Sequence, residues 1–154
     1  METTGDLVKD GYLISTDPAR LDIPMIHQYL AEESYWAKKI PVEVVRKSIA
    51  NSFCFGVYHQ DTQVGLARLV TDKATFAYLC DVFILKEHRG KGLSKWLLGA
   101  IHTHPDMQGL RRWMLGTRDA HGLYAQFGWV SLPEEQVPRF MHLHKPDVYT
   151  MRNR

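Results

Sequence analysis

Two spacings of apolar residues alternate along the chain, one helical and one extended. GYLIST (11–16) predicts a short strand. Asp22 then stands where a helix cap belongs, with Pro24 tolerated in the first turn, and Ile23, Ile26 and Leu30 recur at i, i+3 and i+7 as one apolar stripe. ESYWAKKI (33–40) breaks that stripe and predicts a loop. Pro41 opens a second helix whose buried side carries Val42, Val45 and Ile49.

Extended segments follow. SFCFGVYH (52–59) and QVGLARLVTD (63–72) flank QDT and predict an antiparallel hairpin. TFAYLCDVFIL (75–85) is almost continuously apolar, with Asp81 the one interruption, as in a strand buried on both faces. Leu93, Trp96, Leu97, Ala100, Ile101 and His104 then repeat at helical spacing until Pro105. RRWMLGT (111–117) predicts a strand. RDAHGLYAQFG (118–128) predicts a short helix, with Ala120, Leu123, Tyr124 and Phe127 on one side and Gly128 closing it. RFMHLHK (139–145) alternates Phe140, His142 and His144 against Met141 and Leu143, which predicts a terminal strand. This order describes an α/β or α+β sandwich around a mixed sheet.

Composition narrows the function. At 154 residues the chain predicts a single domain, 1–154, able to bury a core without disulfide or metal staples. A net charge of +2 is too small for a general nucleic-acid binder. Cys54 and Cys80 sit inside apolar runs and are expected to be reduced and buried; there is no CxxC and no Cys/His zinc spacing. The opening METTGDLVKD carries no apolar signal core, and no apolar run reaches about 18 residues. A cytoplasmic protein without membrane or nucleic-acid partners is the expectation.

The chemistry gathers at EHRGKGLSKWLL (87–98), between the most apolar strand and the strongest helix. The first N–H groups of a helix lack internal partners and carry partial positive charge. A glycine turn ahead of them lets backbone amides face an anion. Gly90 and Gly92 permit close approach, and Arg89, Lys91 and Lys95 add mobile positive charge. A diphosphate suits such a loop; a plain basic surface turn has the same composition. GxxxxGK[ST] is absent, and Lys95 stands where a dinucleotide fingerprint needs a small residue.

DVFILKEHRGKGLSKWLL resembles the acyl-CoA-binding motif of the GNAT superfamily of N-acetyltransferases, [Q/R]-x-x-G-x-[G/A]. It reads here Arg89-Gly90-Lys91-Gly92-Leu93-Ser94: Arg89 and Gly92 match, while Ser94 replaces the final glycine or alanine. Downstream, Thr117, Ala120, Tyr124, Gly128 and Trp129 resemble that family's Asn-x-x-Ala-x-x-x-Tyr-x-x-x-Gly-Phe, with Thr117 and Trp129 departing from it. The resemblance implies a mixed, mostly antiparallel central sheet flanked by helices, with a splayed central strand pair. It implies backbone contacts from Val82, Phe83 and Ile84 to pantetheine. The diphosphate would lie on Arg89, Gly90, Lys91, Gly92, Leu93, Ser94 and Lys95, with Thr117 beside the cofactor. Acetyl-CoA is then the co-substrate, no metal is required, and Tyr124 is the expected general acid.

The general base is unassigned by the motif. Tyr78 or Cys80 occupies its position, and Asp81 is the catalytic candidate beside them, expected to point to the opposite face and open equally to a structural role. Glu33, Tyr35 and Trp36 are candidates for the acceptor site, where the carboxylate attracts an amine and the aromatics form its wall. The expected acceptor is a small-molecule or peptide amine, and a homodimer is consistent with the family. A non-catalytic acyl-CoA-binding module with the same fold is the alternative. His102/His104 and His142/His144 lack the third ligand that a metal site needs.

Overall fold

The computed structural model describes residues 6–151, and residues 1–5 of the opening read above, like 152–154, lie outside the described residues. These form two compact units that part between Gly116 and Thr117.

The first unit is a six-stranded sheet in sequential order: β1 (Leu7–Lys9), β2 (Tyr12–Ser15), β3 (Phe53–His59), β4 (Thr62–Thr71), β5 (Phe76–Ile84) and β6 (Arg112–Met114). Neighbours are antiparallel except β5 and β6, which are parallel. The mixed, mostly antiparallel sheet is therefore present. The sequence reading missed β1, which is exposed throughout and too short for a periodicity. Its signal lay in Asp10-Gly11, whose φ values of +53° and +85° make the tight turn into β2. Gln60 and Asp61 turn β3 into β4 the same way, at +52° and +67°.

Helix α1 (Ile23–Gln28) begins where Asp22 accepts from the Met25 N–H at 3.1 Å, as expected, and widens into a π turn over Tyr29–Glu33. Helix α2 (Val42–Ala50) buries Val45 and Ile49; Val42, expected inside, is exposed in the first turn after Pro41. Helix α3 (Leu93–Thr103) buries Leu93, Leu97, Leu98, Ala100 and Ile101.

These helices take opposite faces of the sheet. Successive residues of a strand alternate faces. The Phe55 ring lies 5.5 Å from His104 at the end of α3. Arg68, paired with Cys54 on the neighbouring strand, instead reaches Ser52, just after α2, and Asp81, which takes the indole N–H of Trp36 from the connection between α1 and α2. That connection meets β5 at Asp81 and Phe83, in its later half, while Phe76 and Tyr78 are exposed, so the early part of β5 is not buried on both faces as expected.

The second unit holds α4 (His121–Ala125) and α5 (Val148–Met151), with a single 3-10 turn over Val137–Arg139. The strand expected over 139–145 does not form. Among the described residues no strand pairs with it, and Met141 and Leu143 are 96% and 87% exposed. Alternation selects a face, but a strand also needs partners for its N–H and C=O groups.

Candidate active site

Strand β5 builds the site by losing a neighbour. Its ladder with β6 runs from Phe76↔Arg112 to Tyr78↔Met114 and stops, while β5 continues to Ile84. On its other side it stays paired with β4, and Leu85 extends the contact through a 2.8 Å bond to the Val64 carbonyl. Among the described residues no strand takes the freed edge beyond Tyr78. This is the splay that the resemblance implied.

Between those limits the strand bulges. Leu66 pairs with Phe83 and Arg68 with Cys80, so Asp81 and Val82 together oppose Ala67. Asp81 has φ +52°, a conformation that favours glycine. Left-handed backbone costs a non-glycine residue about 1–2 kcal/mol, least for Asp and Asn, whose side chains bond locally. Here the carboxylate is held on both sides. Trp36 Nε1 donates to Oδ1 at 2.7 Å, and Arg68 Nε donates to Oδ2 at 2.7 Å. Arg68 Nη1 continues to Ser52 Oγ at 3.0 Å. Burial pulls the Arg68 guanidinium down, and the adjacent Asp81 carboxylate outweighs it, leaving it above its ordinary value. The bulge also corrects the expectation that Asp81 faces away from Cys80: its carboxylate reaches Arg68, the cross-strand partner of Cys80.

Neither neighbour suits proton abstraction at neutral pH. Burial pushes the Cys80 thiol up to about 12 and raises the Tyr78 phenol. Cys54 is likewise pushed to about 12 by burial, and both cysteines are free. Cys54 is buried as expected, whereas Cys80 is half-buried.

Past the bulge, Phe83 and Ile84 are buried and Val82 half-buried. The Tyr29 ring stacks on Phe83 at 3.9 Å and 11°. A single turn over Lys86–His88 leads into the glycine loop, where Gly90 and Gly92 have φ +80° and +76°. Nothing lies within 4 Å of either Cβ position, so the glycines serve the backbone conformation and leave open space above it. Gly92 is the N-cap of α3, and no described side chain caps that end. The first-turn amides of Leu93, Ser94 and Lys95 are thus presented beside the loop, with Lys91 and Lys95 exposed around it.

Arg89 departs from the expected mobile charge. Its Nε donates to the Ile84 carbonyl at 2.8 Å and its Nη2 to the Tyr29 hydroxyl at 3.2 Å, which lashes the loop to β5 and to the π turn that follows α1. On another side, the loop borders a cavity of about 280 Å³ lined by Lys9, Asp10, Tyr12, Lys91 and Leu93. Lys9 is a further cation that the sequence reading missed.

The acceptor candidates divide. Trp36 joins Asp81 through its indole N–H but keeps 41% of its surface exposed, with Tyr35 edge-on at 5.0 Å. Glu33 is exposed at the end of the π turn. Arg68 escaped the sequence reading altogether. Its signal was a lone arginine inside GLARLV, matched by a lone aspartate in the next strand; buried charges seek each other.

In the second unit, Thr117 Oγ1 accepts from the Ala120 N–H at 3.1 Å and starts α4. Tyr124 is buried in α4, its ring 5.9 Å from Trp129, and Gly128 ends the turn at φ +91°. The histidine pairs serve packing or solvent. His102 and His104 contact Trp113 and Phe53 respectively and are lowered by burial, while His142 and His144 are exposed. Among the described residues no group of three His, Cys, Asp or Glu side chains could hold a metal ion, and no helix is long and apolar enough to cross a membrane.

The fold is a mixed α/β sheet whose single parallel ladder ends ahead of a left-handed glycine loop. The chain belongs to the GNAT acetyltransferases: the acetyltransferase (GNAT) domain matches residues 50–131. A Gibberella zeae protein named as a candidate acetyltransferase is 36% identical over 137 residues, covering 75% of this chain and 76% of that one. The crystal structure of a GNAT-family protein from Xanthomonas campestris pv. campestris is 47% identical, with TM-score 0.86 over 90% of this chain and 96% of that one. A GNAT acetyltransferase from Elizabethkingia anophelis, solved with acetyl-CoA bound, shares the fold at 15% identity and TM-score 0.57, over 77% of this chain and 76% of that one.

Proposed function

We propose that this chain transfers an acetyl group from acetyl-CoA to an amine by direct attack in a ternary complex. The observation that carries this reading is the freed edge of β5 leading, through one short turn, into the left-handed glycine loop at α3. An extended ligand with amides along its length and a diphosphate at its end matches those two features in order. Backbone groups of Val82, Phe83 and Ile84 take the pantetheine, and the amides from Gly90 to Lys95 take the diphosphate, with Lys91 and Lys95 adding charge. Thr117 is assigned to the cofactor through its place at the head of the tyrosine motif. A backbone N–H near Phe83 polarises the thioester carbonyl.

The amine nitrogen bonds to the carbonyl carbon, the carbon–sulfur bond breaks, and the leaving thiolate takes a proton from the Tyr124 hydroxyl. The amine's own proton leaves through water to solvent, because Asp81 is engaged by two donors. Trp36, Tyr35 and Glu33 border the acceptor. That same engagement of Asp81, with Cys80 and Tyr78 raised, favours one alternative: a module that binds acyl-CoA without transferring it.

Release of free CoA thiol across a panel of small amines and peptides separates the two readings. Transfer predicts thiol release with at least one acceptor, and the panel tells a small amine from a peptide. Tyr124→Phe should bind acetyl-CoA normally by calorimetry and transfer at least about 100-fold more slowly. A wild-type rate would remove Tyr124 from the acid role, and a protein that binds no acyl-CoA would overturn the whole reading.

A further inference from the structure

The geometry around Asp81 points to a role for Arg68 and Trp36 that the glycine loop and the tyrosine motif do not supply. We propose that Arg68 and Trp36 are positioning residues. By holding the Asp81 carboxylate they lock the left-handed bulge, and thereby aim the backbone groups of Val82–Ile84 at the acyl end of the bound thioester. The inference rests on the acyl-CoA reading above.

Three observations carry it. First, the bulge is where β5 changes register, so its conformation decides which way every later N–H and C=O points. Second, its left-handed residue is an aspartate, where glycine would adopt the same conformation without strain. A left-handed non-glycine persists when its surroundings over-determine it. Third, the surroundings do so. Two donors at 2.7 Å come from different elements, the indole from the α1–α2 connection and the guanidinium from β4. Arg68 is braced in turn by Ser52, just ahead of β3. The carboxylate side chain is only 9% exposed and that of Arg68 18%, so the pair is shielded enough to hold its geometry.

The assignment differs from a general base in what it predicts at Asp81. A base needs an ionisable oxygen, which asparagine, glycine and alanine all lack. A latch needs a side chain that tolerates left-handed backbone and accepts from a donor. Asparagine meets both needs in part, glycine meets the first, and alanine meets neither. The expected order of acetyl transfer is therefore wild type, Asp81→Asn, Asp81→Gly, Asp81→Ala. Trp36→Phe keeps the ring and the ion pair while removing one donor. It should lower kcat about fivefold, the scale of one hydrogen bond.

Two measurements on the full chain test this: calorimetry with CoA and with acetyl-CoA, and the pH profile of thiol release. The latch predicts that Trp36→Phe and Asp81→Asn bind CoA as the wild type does but lose part of its preference for acetyl-CoA. The acid limb of the profile should stay in place in Asp81→Asn. Equal transfer by Asn and Ala variants, a shifted acid limb, or an undiminished acetyl-CoA preference in Trp36→Phe would each overturn it. A wild type that prefers acetyl-CoA yet releases no thiol rejects catalysis instead, and the binding preference still decides the latch. A wild type that binds neither ligand overturns both.

Discussion

The two stretches of β5 on either side of Asp81 are the same strand put to different uses. Before the bulge, β5 pairs with β6 as far as Tyr78 and with β4 throughout, and Ala77 and Leu79 are buried. After it, β4 is the one remaining strand partner among the described residues, and the other edge has no strand beside it. The first stretch stores stability; the second presents hydrogen-bonding groups. A sheet can do both only if something fixes the point of change.

Substitutions on the two sides should therefore separate stability from binding. Leu79→Ala, before the bulge, is expected to cost about 2–5 kcal/mol of stability. Denaturant unfolding measures that loss, while acetyl-CoA affinity of the folded fraction should change little. Gly65→Ala probes the other side. Gly65 pairs with Ile84, and an added Cβ would lie 2.9 Å from the Phe83 carbonyl oxygen and 2.7 Å from the Ile84 side chain. Backbone must move to admit it, at roughly 1–3 kcal/mol, and this loss should come with weaker acetyl-CoA binding. If Gly65→Ala binds acetyl-CoA normally, the two stretches are not functionally distinct.

A smaller effect belongs to the turn that feeds the early stretch. Asp72 accepts from the Thr75 hydroxyl and from the amides of Thr75, Ala74 and Phe76, and the Thr75 hydroxyl bond leads in holding its carboxyl well below its ordinary 3.8. A depressed carboxyl contributes stability above its unfolded value and loses it as pH falls through the folded one. The melting-temperature gap between wild type and Asp72→Ala should thus hold at neutral pH and narrow below pH 3.8. An unchanged gap in acid would show that the carboxylate charge has no part in the turn.

Periodicity made most of the sheet and its helices legible, because each buries one repeating face. It failed where a repeat had no partner, as at Met141 and Leu143, and where an element was too short to repeat, as at Leu7–Lys9. The glycine loop was legible because left-handed backbone at Gly90 and Gly92 leaves a mark in composition. The latch at Asp81 left almost none: an aspartate does there what a glycine ordinarily does, and its donors come from positions 13 and 45 residues away. The charges of Arg68 and Asp81 were each visible as an anomaly in an apolar strand, but only the bulge turns them toward one another.

Arg89 gives the glycine loop a thermodynamic character of its own. A guanidinium already tied to Ile84 and Tyr29 is not waiting to be drawn in by an anion. The ordering of the loop then belongs to folding and is not charged to the arrival of a ligand. Ligand entry should accordingly resemble docking onto a finished surface, with little conformational entropy left to lose.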